Sequence, residues 1–473
     1  MFCRRSFNFC CKVVSHKRFF HKTLRLGSNE PENPIWRTIR VLTNDIAPKK
    51  QKNEEYVTGF IEGGGAIGSS IAYWLKEKTN FHALRIVVIE KDPTYAKCST
   101  ALSVGGIRQQ FSLSENIQMS LYGAEFLRTL KKRFGRDADV NFTPHGYLVL
   151  ASRRGASQLV DNAKLQKELG AVNTLLGKEG LKERFPWMDV SDVELGCLGL
   201  EKEGWFDPWS LLCMLKSKAI SMGTQYITGE AVDFTFRERS DIIVEGVEEG
   251  YYEGLNEVVV KLPDGEHKSI QFAFCIIAAG GESGEVAQLA RIGTGQGMLS
   301  IPLPVEKRKR YVFGFNCQQN GPSINTPLTI DHSGVYFRRD GLGGAYICGL
   351  SPAPEDEPST ENLDVDYKYF DDKVWPILAK RVPAFESIKV ANAWGGYYDY
   401  NTYDENGIIG PHPYYHNLYI ATGFSGHGIQ QAPAVGRSVA ELILDGDFQT
   451  IDLTRLGFDR LIVDKPMYEI GIY

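Results

Sequence analysis

The residues best suited to chemistry form a glycine-rich turn between two apolar stretches. The pattern G-x-G-x-x-G is formed by Gly63, Gly64, Gly65, Ala66, Ile67 and Gly68. The preceding run, Tyr56–Ile61, reads as a strand, and the residues from about Ser69 onward read as an amphipathic helix. Glycines at these positions let the backbone approach a pyrophosphate, and free N–H groups at the helix start can bind it.

An acidic residue at the end of the next apolar run supports this interpretation. The stretch "ALRIVVIEKD" predicts a second strand that ends in Glu90, 22 residues after Gly68. A carboxylate at about this spacing binds the ribose hydroxyls in dinucleotide-binding folds, and it favours a 2′-hydroxyl over a 2′-phosphate. We therefore predict a dinucleotide site. The alternative is a glycine turn in an unrelated βαβ unit.

Glu62 does not fit the strand that precedes the turn, and Gly59 is also unusual there. A central parallel strand is buried on both faces, so an unpaired carboxylate in it is costly or stays protonated. Two explanations remain open at this level. Either Glu62 points to the open end of the strand, or the local sequence is aberrant.

Composition and charge limit the class of protein. The 473 residues are 43% hydrophobic and 23% charged, as in ordinary globular proteins, and the length suggests two or three domains. The net charge of −5 gives no overall basic field, so we expect no nucleic-acid partner. No run of about 18 apolar residues appears, so we expect no spanning helix. Peripheral contact with a membrane stays open.

The first 29 residues differ from the rest of the chain. They contain seven Lys or Arg and no Asp or Glu, with basic and apolar residues interleaved. This composition predicts a mitochondrial transit peptide at 1–29, and a disordered basic tail is the alternative. Residues 30–54 read as a polar lead-in. Six of the nine cysteines lie beyond the leader without metal-ligand spacing, so we expect no metal site and a reducing compartment such as the mitochondrial matrix.

Five stretches further along the chain carry a family resemblance. They are "STALSVGGIRQQFS", "EGWFDPWSLLCML", "TGEAVDFTF", "FAFCIIAAGGESGEVAQLA" and "NLYIATGFSGHGIQQAPAVGRSVAELILDG". With the first turn, they resemble the D-amino-acid oxidase and sarcosine oxidase family of FAD-dependent oxidoreductases, in the family's order from Tyr56 to Gly446. The shorter segments "AYWLK", "RVPAFE" and "GYYDYNT" resemble most closely a mitochondrial branch of that family that serves in the assembly of respiratory complex I.

The resemblance implies an α/β fold with a Rossmann-like FAD-binding domain and a discontinuous antiparallel-sheet substrate domain that caps it. The FAD-binding domain is expected to take residues 55–135, 205–295 and 405–450. The cap is expected to take residues 136–204 and 296–404. Residues 451–473 are then a C-terminal tail.

The resemblance also implies a set of FAD-binding residues. They are Gly63, Gly65, Ala66, Ile67, Gly68, Glu90, Gly105, Gly106, Val232, Ala279, Gly280, Gly423, Ser425, Gly426, His427 and Gly428. The backbone of Val232 is expected at the adenine, and the turn from Gly423 to Gly428 beside the flavin ring, whose negative charge on reduction suits backbone N–H groups. Non-covalent FAD is expected, because "GYYDYNT" has no cysteine and "STALSVGG" has no histidine at the places where relatives attach flavin.

Members of this family oxidise a C–N bond, and an amino-acid substrate needs a cationic clamp for its carboxylate. Sarcosine oxidases have a lysine after the last glycine turn, where this chain has Gln430. The candidate catalytic residues are Arg108, Arg338, Tyr336 and His427. For each arginine the alternative is a salt bridge, and for the histidine it is a structural role in the turn.

Two functions from different classes therefore remain. One is a FAD flavoprotein on the matrix side, associated with the inner membrane, whose partners are complex I subunits or assembly intermediates. It could retain some oxidoreductase activity. The other is an amine or amino-acid oxidoreductase that acts on a small amine and resembles sarcosine oxidase or dimethylglycine dehydrogenase.

Overall fold

The computed structural model describes residues 55–79, 83–244 and 246–470, and the predicted leader and lead-in lie outside them. The strands, numbered along the chain, are β1 (Glu55–Glu62), β2 (Ile86–Glu90), β3 (Gly106–Ile107), β4 (Tyr147–Ala151), β5 (Asn173–Gly177), β6 (Leu195–Gly199), β7 (Gly204–Trp205), β8 (Gln225–Thr228), β9 (Glu230–Glu238), β10 (Glu253–Lys261), β11 (His267–Ile277), β12 (Val305–Asn316), β13 (Leu328–Ile330), β14 (Tyr336–Arg339), β15 (Ala345–Gly349), β16 (Val390–Asn401), β17 (Ile408–Pro411) and β18 (Leu418–Thr422).

The helices frame these strands. They are α1 (Ala66–Lys78), α2 (Ser114–Arg128), α3 (Leu130–Phe134), α4 (Ala156–Glu168), α5 (Lys178–Arg184), α6 (Pro208–Ser221), α7 (Ser283–Leu289), α8 (Tyr367–Tyr369), α9 (Trp375–Arg381), α10 (Gly428–Leu444) and α11 (Asp459–Ile462). A π-helical turn, Phe370–Val374, joins α8 to α9. Among the described residues, no helix combines the length and the apolar character needed to cross a bilayer.

The first sheet has the order β17-β18-β11-β1-β2-β8, and the five strands from β18 to β8 run parallel. Strands β9, β10 and β11 form an antiparallel meander. Helices α1, α2, α6 and α10 cover one face, while the meander and α7 cover the other. Because both faces are covered, β1 is apolar on both sides, with Phe60 and Ile61 buried in opposite clusters.

Gly59 has a packing reason within β1. A Cβ at this position would lie 2.5 Å from the ring of Phe274 on β11 and 2.8 Å from the side chain of Ile86 on β2. The glycine therefore gives the large ring room to cross the strand, which a larger residue would prevent.

The second sheet has the order β16-β12-β15-β14-β13-β4-β6-β5 and is antiparallel except between β13 and β4. Its strands come from residues 147–199 and 305–401, so the chain passes between the two sheets four times. A short ribbon of β3 and β7 joins Gly106 to Trp205 at the junction. This is the predicted α/β class, with an antiparallel layer beside a Rossmann-like sheet.

The segment after α10 is an integral part of the first domain. Ile451, Leu453, Leu456 and Phe458 are buried. Arg460 is buried as well, and its Nε donates to Asp404 Oδ2 at 2.7 Å. The residues predicted only as a tail therefore close the core as far as the structure describes them.

Candidate cofactor and active site

The predicted cofactor residues meet at one edge of the first sheet. The neighbouring parallel strands β18, β11, β1 and β2 all end there. The turn Gly423–Gly428 follows β18, Ala279 and Gly280 come after β11, and the turn Gly63–Gly68 follows β1, while β2 ends with Glu90. Ligands of open parallel sheets bind beyond the carboxyl ends of strands where the connections diverge. The chain leaves β1 towards β2 on one side, and β11 lies on the other side of β1. The connections therefore diverge at this edge, as they do at the ligand site of an open parallel sheet.

The glycines of the first turn have different tasks. Gly63 has a φ of +102°, and a Cβ there would lie 2.2 Å from the carbonyl oxygen of Ala278. A Cβ at Gly68 would lie 1.9 Å from the carbonyl oxygen of Gly63. At Gly65 a Cβ would meet only Thr100 Oγ1 at 3.5 Å and Cys98 Sγ at 3.6 Å, which are ordinary contacts. The fold thus requires glycine at positions 63 and 68, whereas Gly65 leaves room for a ligand.

Helix α1 begins at Ala66, three residues before the predicted start near Ser69. Its N-cap residue, Gly65, offers no side chain to the first N–H groups. The N–H of Ala66 donates to Thr100 Oγ1 at 3.1 Å, and Ile67 follows in the first turn. The positive end of the helix therefore faces the open space at Gly65, and a pyrophosphate fits this cradle in charge and in shape.

Glu90 lies beside the same turn. Its Oε2 accepts from the N–H of Gly64 at 3.0 Å, and its Oε1 accepts from the N–H of Asp92 at 2.9 Å. Burial raises the pKa of Glu90, and these two N–H groups oppose the rise. The carbonyl of Glu90 accepts from the N–H of Gly229, the single residue between β8 and β9, three residues before Val232.

Val232 is the extra residue of a β-bulge in β9, between the pairs Ala231–Val260 and Asp233–Val259. A bulge leaves one residue outside the ladder, so its backbone groups can serve another partner. This position suits the adenine contact that the resemblance implies.

Glu62 points inward, which excludes the explanation that it faces the open end of the strand. The residue is 7% exposed, and its Oε2 has no hydrogen-bond partner among the described residues. Burial raises the pKa of Glu62 to about 8, while the backbone N–H of Ala231 opposes the rise. The carboxyl group is therefore mostly protonated at pH 7.

The last glycine turn is fastened to the cap by Asp399 of β16. Its Oδ2 accepts from the N–H of Gly423 at 2.7 Å and from that of Phe424 at 3.0 Å. Ser425, with a φ of +47°, accepts through Oγ from the N–H of Asn401 at 3.0 Å. The N–H of Gly423 thus has a protein partner, and helix α10 begins at Gly428, directly after Gly426 and His427.

Arg108 and His427 lie together at the junction of the two domains. The Nη2 atom of Arg108 is 3.4 Å from Nε2 of His427, and its guanidinium lies 4.9 Å from the ring centre of Phe111 and 5.9 Å from that of Tyr147. Burial and the charge of Arg108 lower the pKa of His427 to about 3. The imidazole is therefore neutral at pH 7, and it can act as a hydrogen-bond partner but not as a cation.

Glu203, which no sequence motif marks as a site residue, fixes the loop that carries Arg108. Its Oε1 accepts from the N–H of Gln109 at 2.8 Å, and its Oε2 accepts from Nε2 of Gln110 at 3.0 Å. Gln430 holds the loop from α10, because its Oε1 accepts from the N–H of Arg108 at 2.8 Å. Burial raises the pKa of Glu203 to about 7. An acid at the start of "EGWFDPW", next to the apolar residues Trp205 and Phe206, was the available signal.

Arg338 joins the cap to the loop before Gly105. Its Nε donates to the carbonyl of Val104 at 3.2 Å, and its Nη1 pairs with Asp340 at 3.1 Å. The structure therefore supports the salt-bridge alternative for this arginine. Tyr336, two residues earlier on β14, is on the same face of the strand, and burial raises its pKa.

Gly106 makes room for the hydroxyl of Tyr147, which would lie 2.0 Å from a Cβ at that position.

These features define a two-domain oxidoreductase in which a dinucleotide cradle underlies an antiparallel cap. The chain belongs to the family described as FAD dependent oxidoreductase (DAO), whose model matches residues 60–442. FAD is the cofactor of this family, and the cradle at Gly65 fits it. The non-covalent mode predicted from the sequence is consistent with the family and with the flavoprotein oxidases of similar structure.

Relatives cover nearly the whole chain. It is 48% identical over 487 residues to the FAD-dependent oxidoreductase domain-containing protein 1 homolog of Drosophila melanogaster, covering 94% of this chain and 93% of that protein. It is 51% identical over 438 residues to FAD-dependent oxidoreductase domain-containing protein 1 of Xenopus laevis, covering 91% and 86%. The crystal structure of L-proline dehydrogenase from P. horikoshii superposes with a TM-score of 0.71 at 25% identity, covering 88% of this chain and 100% of that one. The predicted fold class is confirmed.

Proposed function

We propose that this chain is a mitochondrial FAD flavoprotein required for the assembly of respiratory complex I, the NADH dehydrogenase. Its place is the matrix side of the inner membrane, and its partners are complex I subunits or assembly intermediates. The basic, acid-free composition of residues 1–29 supports import. The resemblance of "AYWLK", "RVPAFE" and "GYYDYNT" to a mitochondrial branch of the family supports the role in assembly.

One observation carries the view that the cofactor is mainly structural. Side chains that could clamp a substrate carboxylate are used to connect parts of the protein. Arg338 binds the Val104 carbonyl and Asp340, and Gln430, at the place of the sarcosine oxidase lysine, binds the N–H of Arg108. FAD would meet segments that are far apart in sequence, and a ligand bound only by the folded state stabilises that state by mass action.

A second function, oxidation of a small amine, is supported by Arg108 and His427. The guanidinium of Arg108 and the neutral ring of His427 lie side by side beneath the cap. When bound, FAD supplies an acceptor for the two electrons of a C–N bond. Arg108 would bind the carboxylate of the substrate, and the cap would exclude water from the reaction. L-proline dehydrogenase, one of the proteins of similar structure, is named for an activity of this class.

Rescue of cells that lack the protein distinguishes the two functions. Assembled complex I is measured by native electrophoresis after expression of the wild type, Gly65→Leu, Arg108→Gln or Arg291→Gln. Gly65→Leu is expected to lose FAD and fail. Arg108→Gln, once shown to retain FAD, is expected to rescue if the flavin is mainly structural. Arg291→Gln is the matched control, because Arg291 pairs with Glu253 at the surface.

Failure of the FAD-loaded Arg108→Gln variant, together with loss of an amine-dependent reduction of the flavin, would favour catalysis as the basis of the role. Normal complex I in cells without the protein would overturn the assembly function. For the location, sequencing of the mitochondrial form should give an N-terminus after the leader and before Tyr56. A mitochondrial form that begins at Met1 would overturn the transit peptide.

A further inference from the structure

Glu62 is a buried acid that has no part in either of the proposed functions. It is the last residue of β1, paired in register with Ile89 of β2 and Ile277 of β11. Its carboxyl lies on the face of the sheet that the meander covers, near the N–H of Ala231. Its Oε2 has no partner within the described part of the chain. The next residue, Gly63, begins the turn that forms the pyrophosphate cradle.

The charged groups that surround Glu62 are mainly acids. They are Glu90 at the end of β2, Glu230 at the start of β9 and Glu282 in the turn after β11. Lys91 is paired with Glu230 at 2.6 Å and with Glu282 at 3.5 Å, and Lys307 of β12 pairs with Glu282 at 3.3 Å. From β11, Cys275 faces the carboxyl as a thiol whose pKa burial holds well above its usual value. Ionised Glu62 would thus add a further negative charge among acids in a dry environment.

The cofactor adds to this negative charge. The pyrophosphate of FAD carries two negative charges, and its cradle starts one residue after Glu62. Like charges at short range repel strongly when little water separates them. Phosphate binding and ionisation of Glu62 therefore oppose each other, and linkage makes this opposition reciprocal.

We propose that Glu62 makes FAD binding proton-linked: the protein binds FAD with Glu62 protonated, and it binds FAD more weakly once Glu62 has lost its proton to solvent. The proposal rests on FAD as the cofactor and is independent of the role in complex I assembly. Under this proposal, the atypical glutamate before the glycine turn makes the retention of FAD depend on pH.

The direction of the pH effect follows from the position of Glu62. Its pKa is raised from an ordinary value of 4.5 to about 8, so the group changes charge above neutrality. The dissociation constant of FAD should be nearly constant from about pH 6 to pH 7. Above about pH 8 it should rise by up to about tenfold per pH unit, the limit for one linked proton.

The test measures FAD affinity from the change in FAD fluorescence on titration with the full apo chain between about pH 6 and pH 9. Wild type is compared with Glu62→Gln, a neutral isostere, and Glu62→Val, which suits a buried strand. Both variants should lose the weakening above pH 8. Glu230→Gln is the control, because this acid is nearby but exposed and paired with Lys91, and it should keep the wild-type profile.

Parallel pH profiles of the wild type and Glu62→Gln would overturn the proposal. So would a Glu230→Gln variant that alone removes the dependence. A wild type that binds no FAD at any pH would overturn the cofactor assignment as well, which is a distinguishable result.

Stability of the apo protein provides a second readout. The pKa of Glu62 is raised in the folded state. Its contribution to the free energy of unfolding is therefore fully present below about pH 4.5, and it is lost as the pH rises towards 8. The unfolding midpoint of the wild type should therefore fall relative to that of Glu62→Gln over this range. An unchanged difference would overturn the buried, titrating state on which the proposal depends.

Discussion

At the scale of single residues, the cradle separates glycines that shape the backbone from one that makes room for a ligand. Gly65 and Gly177 are both helix N-caps with extended backbones, at φ −66° and ψ −168° and at φ −72° and ψ 177°, respectively. Neither lies in the left-handed region, so neither backbone requires glycine. The two positions differ in the space that a side chain would enter, because only Gly65 faces the pyrophosphate cradle.

Substitution of these two glycines tests the cradle directly. Gly65→Leu should weaken FAD binding by at least about a hundredfold, or roughly 2.7 kcal/mol, because its side chain enters the pyrophosphate space. Gly177→Leu, where a Cβ would meet nothing within 4 Å, should leave the affinity unchanged. Both should change the unfolding midpoint of the apo protein by similar small amounts, as both alter an N-cap. Equal FAD affinity of the two variants in a fluorescence titration would contradict this assignment.

The sequence predicted the local motifs of the cofactor site, but it did not predict the residues from distant segments that bind them. The spacing from Gly63 to Glu90 predicted the cradle because both elements belong to one βαβ unit. Glu203 and Asp399 were not predicted, because each accepts hydrogen bonds from backbone N–H groups far away in the chain, at Gln109 and at Gly423, respectively. Only the packing of the two domains brings such partners together, and no local pattern records it.

At the scale of elements, the C-terminal segment stabilises the start of α2. Glu469 accepts from the N–H of Ser112 at 2.6 Å, from that of Leu113 at 3.3 Å and from Nδ2 of Asn116 at 2.6 Å. The carboxylate therefore caps the N-terminus of a helix that has no side-chain cap of its own. Asn116 in turn accepts from Gln431 of α10, the helix that follows the flavin turn.

Removal of this cap should loosen the first domain. Glu469→Ala is expected to lower the free energy of unfolding by about 2 kcal/mol, since several charge-assisted hydrogen bonds to partly buried groups are lost. Glu179→Ala, which removes an exposed acid from the first turn of α5, should cost no more than about 0.5 kcal/mol. Urea unfolding of the FAD-loaded proteins measures both. Equal effects would show that residues 451–470 add little to the fold.

At the scale of the whole molecule, the cofactor site and the domain junction coincide. The turn at Gly423 is tied to β16 of the cap through Asp399, and the loop before Gly105 is tied to β14 through Arg338. With four passages of the chain between the sheets, neither sheet is made from one continuous segment. Ordering of the cradle by FAD should therefore reach the cap.

A mainly structural flavin must stabilise parts of the protein that do not touch it. At about a hundredfold excess over its dissociation constant, FAD should stabilise the folded state by about 2.7 kcal/mol. If the domains unfold together, hydrogen exchange should slow by a similar amount, about a hundredfold, in β5 and β6 of the cap and in β10 of the meander. Asp399→Asn keeps a hydrogen-bond acceptor for Gly423 but weakens the connection, so it should reduce the effect in the cap more than in the meander. Protection confined to the first domain in the wild type would show that the cap opens independently. That result would favour a cap that admits substrates, and with it the catalytic function over the structural one.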